Sequence, residues 1–180
     1  MSYNIDAFVK QMPVLRDFLL HYVSYKELWS FDHNLTKYNS FFEKTINAHY
    51  LQAINCWCMV FGVASSNPTH WKKVLHNHED FNSITLNAGL KEDKWQEYWN
   101  DVTSFRNRFS VHRELNFDEP VPSLAKAYDI ALYYDEWVRE YIRPDVIDDL
   151  LLRDIVEKYR EDLHKLMDQL KVVLVTEGKN

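Results

Sequence analysis

The chain has 180 residues, 46% of them hydrophobic and 15% aromatic, enough for one domain with a sizeable core, which excludes a disordered protein. Gly62, Gly89 and Gly178 are its only glycines, whereas all-β and nucleotide-binding α/β folds need many for turns and phosphate loops, so P-loop and Rossmann readings drop out. A net charge of −6 disfavours a general nucleic-acid coat, and no apolar run is long enough to span a bilayer.

Apolar spacings of three, four and seven predict a first helix over residues 5–29, through Phe8, Leu15, Phe18, Leu19, Tyr22, Tyr25 and Leu28. Asp6 and Lys10 interrupt the start, so no signal peptide is expected and the protein reads as cytoplasmic. Pro13 marks a kink or a new first turn. Asp32-His33-Asn34 reads as a turn or cap. A second helix is predicted over residues 36–63, nearly apolar all round at its end and therefore central and buried. Ser65 to Pro68 breaks it, and Thr69 is placed to cap a short helix carrying Trp71, Val74 and Leu75. Residues 76–90 read as a polar connection closed by Gly89.

A helix beginning near Lys91 sets Trp95, Trp99 (or Tyr98), Val102 and Phe105 at core spacing and leads into Arg106. The stretch from Asn116 to Pro122 holds two prolines and reads as irregular. Ser123 can cap the next helix, with Leu124, Tyr128, Ala131, Tyr134 and Trp137 inward. Pro144 fits the first position of a last helix over residues 145–175. The expectation is an all-α bundle of about five long helices in a single domain, 1–180, with a core at about 36–115 and C-terminal helices at 123–175.

Several polar clusters invite a chemical reading. His70, His76 and His78, with Glu79 and Asp80, are metal-ligand types, yet their spacing follows no zinc motif, and Lys72 and Lys73 oppose a cation. A solvated loop explains them, and no metal is expected. Cys56 and Cys58 flank Trp57 about 200° apart on a helix, which prevents a disulfide and points to buried reduced thiols. His49 reads as a core or groove histidine. The charged run from Arg153 to Asp162 reads as ion pairs on a solvated helix face.

Arg106-Asn107-Arg108-Phe109-Ser110-Val111-His112 stands apart: arginines, amide and imidazole follow an aromatic core stripe with no acidic residue among them, and Arg113 comes next. Guanidinium suits phosphate oxygens and imidazole suits proton transfer near neutral pH. At these residues the chain resembles the HEPN superfamily (higher eukaryotes and prokaryotes nucleotide-binding), whose signature is arginine, a polar residue and, after a short spacer, histidine. The preceding NAHYLQAINCWCMVFG and THWKKVL are similar to stretches of its bacterial abortive-infection branch, and the likeness spans roughly residues 36–115.

The resemblance implies a helical bundle that forms a homodimer with the motif helices facing each other. Active members are metal-independent endoribonucleases, often toxins or phage-defence effectors, some with a cognate antitoxin. Carried over, Arg106 and His112 are the catalytic pair and Asn107 the polar helper, RNA is the partner and no cofactor is implied; the neighbouring Arg108 and Arg113 are expected to bind substrate. A tyrosine two residues past the histidine, modified in some relatives, is here Glu114. Cleavage would use the 2′-hydroxyl as nucleophile, with imidazole moving protons and guanidinium stabilising the phosphorane. The rival readings are a non-catalytic helical dimer that binds a protein or nucleotide and a plain structural domain.

One geometric problem follows. Six positions along an ideal α-helix span about 240° beyond a full turn, so Arg106 and His112 do not share a face, whereas Arg108 and His112 lie about 40° apart. Either the helix is distorted or ends before His112, or the cleft admits both groups, or Arg108 shares the work.

Overall fold

The computed structural model describes residues 3–32, 39–65, 67–75, 81–111, 120–143 and 150–177. Within them are six α-helices, α1 (Ile5–Asp32), α2 (Asn39–Phe61), α3 (Phe81–Asn87), α4 (Glu92–Phe105), α5 (Ala125–Tyr141) and α6 (Leu152–Glu177). A 3-10 turn covers Trp71–Lys73, and a π-helical turn, Arg106–Val111, continues α4. No β-strand occurs among the described residues; Tyr3 and Leu75 make an isolated antiparallel bridge. The all-α expectation holds, and no described helix is long and apolar enough to cross a membrane.

The centre of the molecule is α2, as its all-round apolar character predicts. Ala53, Ile54, Trp57, Cys58 and Val60 are fully buried. Pairing α1 antiparallel to α2 brings Phe31 against Phe42 at one end and Tyr25 against Tyr50 further along. Across the core, Trp57 packs on Phe61, and Phe61 meets Tyr134 of α5 edge-on. The buried Tyr134 hydroxyl donates to Gln11 Oε1 (2.7 Å), and Gln11 Nε2 donates to the Thr69 carbonyl (2.8 Å), so a polar thread crosses the core satisfied. A smaller cluster of Leu28, Phe31, Phe42, Ile46 and Met167 closes the far end under α6.

Several local expectations are corrected. Pro13 lies within α1 and does not interrupt it. Pro13 and Val9 are both exposed, so the backbone bond that proline cannot make is lost on the solvent side. Residues 81–87, read as part of a connection, form α3 because Phe81 and Ile84 reach the core. Gly89 then turns the chain at φ 77°, a conformation that favours glycine. His70, not Thr69, caps the 3-10 turn by accepting the Lys72 N–H (3.2 Å). At α5 the Ser123 hydroxyl sits 3.4 Å from the Ala125 N–H, while the Tyr98 hydroxyl accepts from Ala127 N (3.0 Å) and donates to the Ser123 carbonyl (2.8 Å). Residues 33–38, 116–119 and 144–149, part of three predicted turns or caps, lie outside the described residues.

The last helix starts at Leu152, later than predicted, because its cap comes from another helix. Asp135 of α5 is buried and accepts the Leu152 N–H (2.7 Å) and Arg139 Nε (2.6 Å). Burial pushes its carboxyl above the ordinary range, and these two donors hold it back. The charged run on α6 also departs from expectation: Arg153 pairs with Glu136 of α5, and Arg160 and His164 reach Glu27 of α1. These are bridges between helices, and only Lys165 and Asp162 pair along the helix itself among the described pairs of this run.

Asp135→Ala strips the carboxylate from a nearly buried arginine and uncaps α6. The expected loss is roughly 3 kcal/mol or more in urea unfolding, against a smaller loss for Asp135→Asn. Equal stability of Asp135→Ala and the natural protein would remove this cap from the account.

Candidate functional site

The basic motif is placed by α4, which runs antiparallel along α2. Trp99 Nε1 donates to the Phe61 carbonyl (2.6 Å), and eleven positions later Ser110 Oγ donates to Asn55 Oδ1 (3.2 Å). Between them Phe105 meets Tyr50 edge-on, with ring centroids 5.9 Å apart. The π-helical turn begins at Arg106, directly after this buried anchor.

This turn answers part of the geometric problem. The helix is distorted where the motif lies. Closing on i→i+5 bonds gives roughly four and a half residues per turn instead of 3.6. Arg106 then lines up with Ser110 and Val111. His112 and Arg113 lie outside the described residues.

The three remaining site residues differ in setting. Arg106 is half-buried and lies beside the Cys58 thiol of α2. Burial pushes that thiol up to about 11, and the guanidinium beside it pulls the other way. Asn107 is exposed and Arg108 is half-buried. The turn therefore brings Arg106, Asn107 and Arg108 onto one short segment and sets its first arginine beside the core.

The other candidate clusters resolve into structure. His70 is buried, not solvated: its Nε2 lies 3.0 Å from the Gly62 carbonyl, and its Nδ1 serves the cap already described. His76, His78, Glu79 and Asp80 lie outside the described residues. Among the described residues no group of three or more histidine, cysteine or acidic side chains is arranged to hold a metal ion. Cys56 and Cys58 are buried free thiols, as expected.

His49 is half-buried and has a partner that the sequence did not reveal. Its Nδ1 lies 2.8 Å from Nδ1 of His21 on α1. Two imidazoles at this distance share one proton in the neutral pair, one nitrogen donating and the other accepting. Burial lowers both pKa values; Asp17 partly offsets this for His21, and the His21 charge adds to it for His49. Asp17 and His21 stand four apart on α1, and His49 and Cys56 seven apart on α2, so each half is visible as a helical face. Their meeting depends on the α1–α2 pairing.

Two hollows flank the motif-bearing helix. One, of about 1090 Å³, opens beside Trp95 and Trp99 at the start of α4, with Trp71 stacked on Phe81 (3.9 Å) in its wall. Its rim carries Lys72 and Lys91 but also Glu92 and Asp93. The other, of about 510 Å³, lies at the motif end of α4 and includes Phe105 and Phe109.

Known protein families, curated proteins and solved structures yield no match to this chain.

The histidine pair has a consequence for stability. Both imidazoles bind protons less readily folded than unfolded, so unfolding takes up protons as pH falls. Their contribution is present above the ordinary histidine value of 6.5 and is lost as pH drops through and below it. Urea midpoints should fall from pH 7 to pH 5, and His49→Gln should flatten that dependence. An unchanged slope in His49→Gln would rule out the pair as its source.

Proposed function

We propose that this protein is a metal-independent endoribonuclease of HEPN type, acting as a homodimer with Arg106, Asn107 and His112 as its catalytic set and Arg108 and Arg113 on the RNA phosphates. The observation that carries this reading is the coincidence of the basic motif with the π-helical turn over Arg106–Val111. Wide turns of this kind are rare and are frequent at functional sites. Here the departure from α-geometry falls on the residues whose chemistry suits phosphate and proton transfer.

The chemistry divides among the side chains as follows. The His112 imidazole takes the proton of the 2′-hydroxyl as its oxygen attacks the adjacent phosphorus, and a protonated imidazole returns one to the departing 5′-oxygen. In a dimer two such histidines face one cleft, so the acid and base roles fall to different subunits. Arg106 and Arg108 offer charged donors to the oxygens of the phosphorane, with Asn107 as a neutral donor. Arg106 is half-buried beside the core thiol of Cys58, so part of its side chain is held against α2. On this reading the enzyme works in the cytoplasm as a toxin or phage-defence effector, held in check by a cognate antitoxin where one exists.

A second reading is supported by the same contact. A half-buried Arg106 beside a core thiol, in a chain of charge −6, also suits a non-catalytic dimer that binds a protein or a nucleotide.

The test is cleavage of total RNA by purified protein in EDTA. The natural protein should cleave, with His112→Ala down by about 10² to 10⁴ and Arg106→Ala similarly impaired. Absence of cleavage across single-stranded and structured RNAs, with both variants folded, would leave the binding module in possession. Cleavage that survives His112→Ala would remove the motif from the mechanism.

A further inference from the structure

The 510 Å³ hollow is walled by rings that touch one another in sequence. Trp29 packs on Tyr25 (centroids 6.2 Å apart), Tyr25 on Tyr50 (5.3 Å), Tyr50 on Phe105 (5.9 Å) and Phe105 on Phe109 (5.1 Å). The chain of rings begins at Trp29, which is 51% exposed, and ends on the π-helical turn, one residue past Arg108.

The inner part of this wall is fixed in place. Tyr50 is nearly buried and its hydroxyl donates to the Pro122 carbonyl (2.7 Å), so its ring cannot turn away without breaking that bond. Burial raises both the Tyr25 and Tyr50 phenols, which keeps them neutral. Polar groups stand at the edges: the exposed Asn47 amide, the Ser123 hydroxyl and the Lys26 ammonium. The described lining holds this cation and no carboxylate. The larger hollow differs on that point, since Glu92 and Asp93 sit on its rim and repel a phosphate.

These features specify a ligand: a flat, polarizable ring with hydrogen-bonding edges, joined to an anion. We infer that the groove is a nucleobase subsite, which takes an unstacked base of single-stranded RNA while its phosphates reach Lys26 and the motif arginines. This rests on the ribonuclease reading and narrows it, because a duplex keeps its bases paired and stacked and cannot offer one. Aromatic platforms accept any base face, so the subsite selects for single strands more than for sequence, with the Asn47 amide able to read a base edge.

The experiment separates the subsite from the chemistry. Binding is measured in a His112→Ala background, so that no probe is cleaved, with three probes: a ten-nucleotide single-stranded RNA, the same sequence as a duplex, and an abasic strand of equal length. The single strand should bind more tightly than the other two. Trp29→Ala should weaken it about tenfold without changing the abasic strand, and Trp29→Phe should restore most of the loss. Trp29 is half exposed, so its replacement leaves the core intact, and circular dichroism with urea unfolding checks this.

Equal affinity for intact and abasic strands, or single-strand binding indifferent to Trp29→Ala in a folded variant, would overturn the subsite. If the natural protein also cleaves RNA in EDTA, that failure leaves the ribonuclease standing. Base-dependent binding through Trp29 in a protein that cleaves nothing would support the subsite and reject the ribonuclease.

Discussion

The carbonyl end of α2 is the constraint on which the rest of the molecule depends. A helix leaves its last four carbonyls without intrahelical partners, and here that end carries both buried residues, Cys58, Val60 and Phe61, and the exposed Met59. Side chains from elsewhere in the chain supply the donors. Asn67 Nδ2 donates to the Cys58 and Val63 carbonyls (3.1 and 2.8 Å), and Thr69 Oγ1 to Met59 (3.1 Å). His70 reaches Gly62, and Trp99 donates to Phe61. An added Cβ at Gly62 would collide with the Cys58 carbonyl, which is why glycine stands at this crowded place. The His70–Gly62 bond is buried, so losing that imidazole strands a buried carbonyl at roughly 1–3 kcal/mol.

That requirement also sets the candidate site. Because Trp99 must meet Phe61, α4 is held at one point along α2, and its antiparallel course carries Arg106 to Cys58 and Ser110 to Asn55. The wide turn lets the chain keep Phe105 buried against Tyr50 while Asn107 faces solvent. The aromatic groove is a further product of the same packing: Tyr50 of α2, Tyr25 of α1 and Phe105 of α4 share one seam, where three helices converge. The charged motif and the Phe105 and Phe109 rings of the groove come from one piece of backbone.

The helical class and the five long helices were legible from residue order. Phe8, Leu15, Phe18 and Leu19 repeat at helical spacing and are buried as that spacing requires, and Trp57 and its neighbours announce a central helix. What could not be read was short or supplied from a distance. Residues 81–87 are too brief for a periodic signal. The start of α6 depends on Asp135, seventeen residues away, and the cap of α5 depends on Tyr98. Arg153 and Arg160 stand where pairs along one helix are expected, yet their partners lie on α5 and α1, because those faces turn inward to neighbouring helices.

The sequence by itself determined the chemistry of the motif. Arginines, an amide and a histidine follow an aromatic stripe, and their protonation and hydrogen-bonding character are intrinsic to the side chains. It also determined an all-helical chain, through apolar spacing and the scarcity of glycine. Only the tertiary structure decided that the turn is wide, that Arg106 lies beside a buried thiol, that His21 meets His49, and that six aromatic rings from four segments line one groove. Helical periodicity is a property of neighbours a few residues apart, whereas these contacts depend on which helices pack together and in what register. For α4 that register is marked by Trp99 meeting the Phe61 carbonyl at the end of α2, which no local pattern records.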